Sequence, residues 1–170
     1  MAVVSTADAG LRAVAGGATV LQLRAPTSSA ATLEREADRL VASSPVPVLV
    51  SARCDVAIAS AAAGVNLPEH DISVADARTL LGARLVGRSV HSLEAAQEAA
   101  AQGADFVIFG PIWRSPSHPH AEGVGLGALR DIVGALPRTP VIAIGGVTEE
   151  RAGHVLDAGA AGYAAITMFE

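Results

Sequence analysis

Gln22 and Arg24 stand two residues apart in Val20-Leu21-Gln22-Leu23-Arg24, so on a β-strand they project to one side while Leu21 and Leu23 project to the other. A carboxamide and a guanidinium at a strand end suit an anionic or carboxylate-bearing ligand. The alternative is a solvated Arg beside a Gln that satisfies local backbone groups. A second candidate follows the apolar run 141–144, where Gly145-Gly146-Val147-Thr148 leads into a helical pattern from Glu149. Paired glycines let backbone N–H groups approach an oxyanion, and the next helix adds its positive end; the same residues also make an ordinary N-capped turn. Ile166 and Thr167 end the last apolar run and would join that cup if the strands lie side by side. A third candidate is the Pro-rich segment 110–120, whose Ser115, Ser117, His118 and His120 offer hydroxyl donors and imidazoles that titrate near neutrality. It reads equally as a solvated lid. Asp71, in Pro68-Glu69-His70-Asp71, is a candidate Mg²⁺ ligand, because that ion needs only one or two protein carboxylates when substrate phosphates supply the rest. Close to Ser73 it also suits a helix start. No Cys, His, Asp or Glu spacing matches a zinc site, and none is expected.

The elements that would position these residues alternate. Short β-branched or Leu-rich runs at 19–24, 47–51, 64–67, 84–90, 106–110, 140–145 and 162–167 are separated by Ala-rich segments of helical period, and residues 2–5 add a partial first strand. In the segment 30–41, Leu33, Ala37, Leu40 and Val41 share one face, as in an amphipathic helix lying on a sheet. Helices end through Gly-small turns at 16–18, 103–105 and 159–162. Eight parallel strands in βα alternation predict an α/β fold of the (β/α)8 TIM-type barrel, shortened at both ends, with a partial first strand and no closing helix. An open doubly wound sheet is the alternative. In a barrel the strand ends named above form the active-site face, and the cup after strands seven and eight is a recurrent phosphate site.

The 170 residues, 51% of them hydrophobic, make one domain spanning 1–170. With only 3% aromatic residues, the core must be built by close approach through Ala, Val, Leu and Ile. A net charge of -5 without a basic cluster speaks against nucleic acid and anionic membranes as partners and for a small soluble ligand. Cys54 is the single cysteine, so no internal disulfide forms, and a reducing cytoplasm is expected. The first residues lack the basic lead and apolar core of a signal peptide, and no membrane-length apolar run follows.

In their order, LQLR at 21–24, SARCDVAIA at 51–59, GVNL at 64–67, GRSVHSLEAA at 87–96, GADFVIFGPIW at 103–113 and VIAIGGVT at 141–148 resemble the thiamin phosphate synthase and thiazole tautomerase (TenI) family of (β/α)8 barrels. The resemblance covers most of the chain. It implies that Gly145, Gly146, Ile166 and Thr167 line a thiazole-phosphate end. It further implies that Gln22, Arg24, Ser89, Ser115 and Ser117 line the pocket where the synthases place a pyrimidine pyrophosphate. Synthases join that pyrimidine to the thiazole phosphate and release pyrophosphate with the help of Mg²⁺.

The synthase pattern continues LQLR with a Lys, then has an Asn-Asp pair and a Thr-x-Thr-Lys loop; here those sites hold Pro26, Ser51-Ala52 and Ser115-Pro116-Ser117-His118. A leaving pyrophosphate needs cations, and one such electrostatic contact is commonly worth ~10²-fold in rate. The tautomerase reaction asks for less: a phosphate site, a carboxylate anchor and one acid/base. Its usual histidine after strand six is Pro111 here, which leaves His118, or less favourably His91, as the base. The expectation is therefore a thiazole-phosphate binder with tautomerase activity, needing no cofactor: Arg24 with Gln22 holds the carboxylate and His118 moves the proton. The alternatives are a synthase, with Mg²⁺ at Asp71, and a catalytically silent binding relative. An incomplete barrel would expose sheet edges and apolar surface, which predicts self-association into a homo-oligomer or poor solubility.

Overall fold

Each β-branched run forms a parallel strand and each Ala-rich segment the helix that crosses to the next. The computed structural model describes residues 1–114, 122–166, 168 and 169. In order these are β1 (Ala2–Val4), α1 (Ala7–Ala15), β2 (Leu21–Leu23), α2 (Ala30–Ser43), β3 (Val48–Ser51), α3 (Cys54–Ala59), β4 (Gly64–Leu67), α4 (Val74–Leu81), β5 (Leu85–Val90), α5 (Leu93–Ala101), β6 (Phe106–Phe109), α6 (Gly125–Ala135), β7 (Val141–Ile144), α7 (Glu149–Asp157) and β8 (Gly162–Ala164). Every strand pairs in parallel with its sequence neighbour, from β1 through β8. The circle closes through the Ala2–Ala165 bridge, where the Val3 amide donates to the Ala165 carbonyl at 2.9 Å and the Ala165 amide to the Met1 carbonyl at 3.1 Å. The open-sheet alternative is thereby excluded, because its edge strands would not meet.

Side-chain alternation divides the core into two. Leu21, Leu23, Val50, Val65, Val86, Val90, Val107 and Ala143 face the helices, where they pack with Ala37, Leu40, Ala77, Ala96 and Leu129. Leu49, Phe106 and Ile108 fill the barrel interior with Val20, Ala63, Ile142 and Ile144. The Phe106 ring occupies the space over Gly87, whose absent Cβ would lie 2.1 Å from it, so glycine is required there by contact with the ring. Ser29, Ser73 and Ser92 cap α2, α4 and α5 through their hydroxyls.

Candidate active site at the C-terminal mouth

Strand direction sets which residues reach the mouth. Leu21 and Leu23 face the helices, so Gln22 between them faces inward, and only 3% of its surface is exposed. Arg24 lies one residue past β2 and is exposed. Its backbone amide is tied to the Val4 carbonyl at 2.8 Å, which fixes its Cα at the rim.

On β4 the same alternation turns Asn66 inward between Val65 and Leu67, also 3% exposed, and its Nδ2 donates to the Ser89 hydroxyl on β5 at 2.9 Å. Two buried oxygens here, Gln22 Oε1 and Asn66 Oδ1, accept no hydrogen bond among the described residues. A buried acceptor left unpaired costs about 1–3 kcal/mol. Ser51 and Ser89, with Ile142 and Ile144, face the same interior and stay partly open to solvent, so the mouth is accessible from above. Asn66 is a candidate site residue that sequence reasoning missed. GVNL reads as a buried strand, and only the inward register of β4 reveals its polar member.

At the β7 exit, Gly145 and Gly146 take φ values of 94° and 66°. A Cβ on Gly145 would stand 2.6 Å from Pro111 Cα, and one on Gly146 would stand 2.8 Å from the Arg114 carbonyl oxygen. Both glycines are thus demanded by backbone conformation and by close approach of the β6 exit. That exit is held there by the Ile112 amide on the Ile144 carbonyl at 2.8 Å and the Trp113 amide on the Gly145 carbonyl at 3.0 Å. Arg151 of α7 adds a guanidinium 5.0 Å above the Trp113 ring and a 2.9 Å bond to the Gly146 carbonyl. Thr148 is the N-cap of α7 but makes no side-chain capping bond, so its hydroxyl is not committed to the helix. Ile166 is exposed just past β8, the neighbour of β7. Ser115, Ser117, His118, His120 and Thr167, all expected at this face, lie outside the described residues.

The β4–α4 loop forms the opposite rim and a pocket of about 580 Å³ lined by Pro68, Glu69, His70, Asp71 and His91. Glu69 grips His91 twice, accepting from its amide at 3.2 Å and meeting Nδ1 at 2.5 Å. Burial pushes the Glu69 carboxyl up, but the hydrogen bonds and charge of His91 outweigh it, so it lies below its ordinary value. Asp71 Oδ1 accepts the Ile72 amide at 2.8 Å, and Ser73 is the N-cap of α4. Burial raises the Cys54 thiol pKa, and the charge of Asp71 raises it further. The β3–α3 turn lies against β4, the Ala52 amide donating to the Asn66 carbonyl at 3.0 Å. In that turn Ala52 has φ 65°, a conformation in which Asn and Asp are several-fold enriched. No group of three or more candidate metal ligands occurs among the described residues. Asp71 alone suits Mg²⁺ only as one ligand to an ion that a polyphosphate already carries.

The model of the family described as thiamine monophosphate synthase matches residues 4–169. The chain belongs to that family. It is 39% identical over 159 residues to the thiamine-phosphate synthase of Chloroflexus aurantiacus, covering 91% of this chain and 73% of that one. It is 40% identical over 160 residues to the putative thiamine-phosphate synthase of Geobacter sulfurreducens, covering 91% and 75%. Among solved structures, the thiamine phosphate pyrophosphorylase from Pyrococcus furiosus superposes with a TM-score of 0.88 at 31% identity, over 98% of this chain and 84% of that one. These relatives carry the synthase name, so the expectation of a tautomerase gives way to its synthase alternative. The family places the chain in thiamine biosynthesis, and no helix among the described residues is long and apolar enough to cross a membrane.

Proposed function

We propose that the protein is a thiamine-phosphate synthase that joins a pyrimidine pyrophosphate to a thiazole phosphate at the barrel mouth, with release of pyrophosphate. The observation that carries this reading is that two buried acceptors on the inward faces of β2 and β4, Gln22 Oε1 and Asn66 Oδ1, have no partner among the described residues, while the Asn66 side-chain amide donates to the Ser89 hydroxyl. Two acceptors call for N–H donors, and because the Ser89 oxygen already accepts from Asn66, its own proton is left to donate. A pyrimidine with an amino substituent matches that set: the amino group donates to the acceptors and a ring nitrogen receives the hydroxyl proton. The cup at Gly145 and Gly146 suits the thiazole phosphate, since the amides of Gly146, Val147 and Thr148 donate to no acceptor among the described residues.

In the reaction the carbon–oxygen bond to pyrophosphate breaks and a carbon–nitrogen bond to the thiazole forms. Mg²⁺ on the pyrophosphate, held by Asp71, would offset the charge that develops there. Arg24 stands at the rim as a protein cation for the same task. This chain contains no lysine, its twelve cations all being arginines. The expected outcome is Mg²⁺-dependent pyrophosphate release from the two substrates together, measured by a coupled assay, and from neither alone.

A second reading, a silent binder of the same ligands, is favoured by one specific observation: Ser51-Ala52 occupies the turn where the synthases are expected to supply a second carboxylate. Calorimetric binding of both ligands without turnover would support that reading instead.

A further inference from the structure

Arg88 is a buried cation with no anion in contact among the described residues. It lies on the helix-facing side of β5, between Val86 and Val90, a position that otherwise belongs to the apolar layer. It is 6% exposed, and no carboxylate lies within ion-pair distance among the described residues. Its guanidinium is spent on backbone carbonyls of one loop: Nη1 donates to Pro68 at 2.5 Å and more weakly to Glu69 at 3.4 Å, and Nη2 donates to Ile72. Burial lowers its pKa, as expected for a charge removed from water, while Asp71, Glu98 and Glu69 oppose that shift from a distance. A buried ion is seldom kept for stability, because an apolar side chain of similar volume is often neutral or better.

We infer that Arg88 is a positioning residue, which fixes the β4–α4 loop so that Asp71 and the Glu69–His91 pair face the mouth. The inference rests on the synthase reading for the reaction it serves, but its geometry stands alone. Three bonds from one rigid fork to residues 68, 69 and 72 determine both ends of the segment that carries Asp71. Chain continuity on β5 also ties this rim to Ser89, which follows Arg88 directly and faces the opposite way, into the barrel interior, where it accepts from Asn66. The same strand thereby sets the metal-side rim and the ring-binding wall in one register.

The test compares wild type, Arg88→Met and Arg88→Lys in three measurements. Arg88→Met is expected to keep the thermal midpoint within about 3 °C, since methionine fills the space without the buried charge. Amide exchange at residues 69–72 is expected to rise at least tenfold in Arg88→Met while the protection of β5 and β6 holds. In turnover, the Mg²⁺ concentration for half-maximal rate and the KM for the pyrimidine pyrophosphate are expected to rise, with kcat little changed. Arg88→Lys, with a single point cation, should restore part of the protection. Unchanged exchange at 69–72 in a folded Arg88→Met variant would overturn the inference. So would a loss of protection spread evenly over the barrel, which marks a purely structural role. If the wild type shows no turnover, the synthase reading fails, and the exchange measurement still decides the inference by itself.

Discussion

Asn66 gives the site its most specific demand. Its Nδ2 is satisfied by Ser89 while its Oδ1 is buried without a partner among the described residues, a cost that a ligand N–H would remove under the proposed function. Asn66→Leu is therefore expected to raise the KM for the pyrimidine pyrophosphate about tenfold or more, the worth of one lost hydrogen bond, while leaving thermal stability nearly unchanged. Steady-state kinetics beside a melting curve check both halves, and a stable variant with unaltered KM would remove Asn66 from the site. Ala52 makes the complementary case. Held at φ 65° with its amide on the Asn66 carbonyl of β4, the strand that leads into the loop of Asp71, it has a conformation that aspartate tolerates well. Ala52→Asp is expected to lower the Mg²⁺ concentration for half-maximal rate and to raise turnover by about tenfold or more, because a second carboxylate on a pyrophosphate-bound ion is an electrostatic contact of the kind that dominates such reactions. Titration of rate against Mg²⁺ would reveal it.

The strands and turns determine which of these residues can meet. β-branched runs separated by Ala-rich helices made seven strands clear in the sequence and the first, at residues 2–5, only a partial one, because packing follows from pattern, and Gln22 was placed inward from its spacing to Leu21 and Leu23. The glycine pair proposed as the phosphate cup reads from the sequence as Gly-Gly before a helix, but the reason both must be glycine does not. Gly145 must be glycine because the β6 exit crosses within 2.6 Å of its missing Cβ, a contact between segments more than thirty residues apart in sequence. Asn66 and Arg88 were illegible for a related reason: the facing of each depends on the register of its strand with the neighbours, which the sequence of β4 or β5 alone does not show. Gly145→Ala is expected to cost about 2 kcal/mol or more, the sum of left-handed backbone strain and the clash with Pro111. Urea unfolding measures that loss, and a phosphate-induced thermal shift should vanish in the same variant.

At the scale of the whole barrel, the β8–β1 seam is the weakest. Other neighbouring strands share three or four residue pairs, whereas this seam rests on one bridge between Ala2 and Ala165. Three bonds across it, the two around Ala165 and one from the Met1 amine to the Tyr163 carbonyl at 2.7 Å, nevertheless keep the circle shut and the mouth residues of β1, β2, β7 and β8 at fixed separations. Val3→Pro removes the donor to Ala165 and is expected to lower the unfolding free energy by about 1–3 kcal/mol, seen as an earlier urea midpoint. The closed circle brings the acceptor pair on β2 and β4 and the glycine cup on β7 to one mouth, and on that juxtaposition the proposed reaction depends.

The most direct measurement is a ³¹P NMR time course of the purified protein with Mg²⁺, the pyrimidine pyrophosphate and the thiazole phosphate. The account predicts that free pyrophosphate and a new thiamine phosphate signal appear at equal rates and slow markedly in Asn66→Leu. Both substrates persisting unchanged, although each binds, would contradict it and leave a ligand-binding barrel without synthase chemistry.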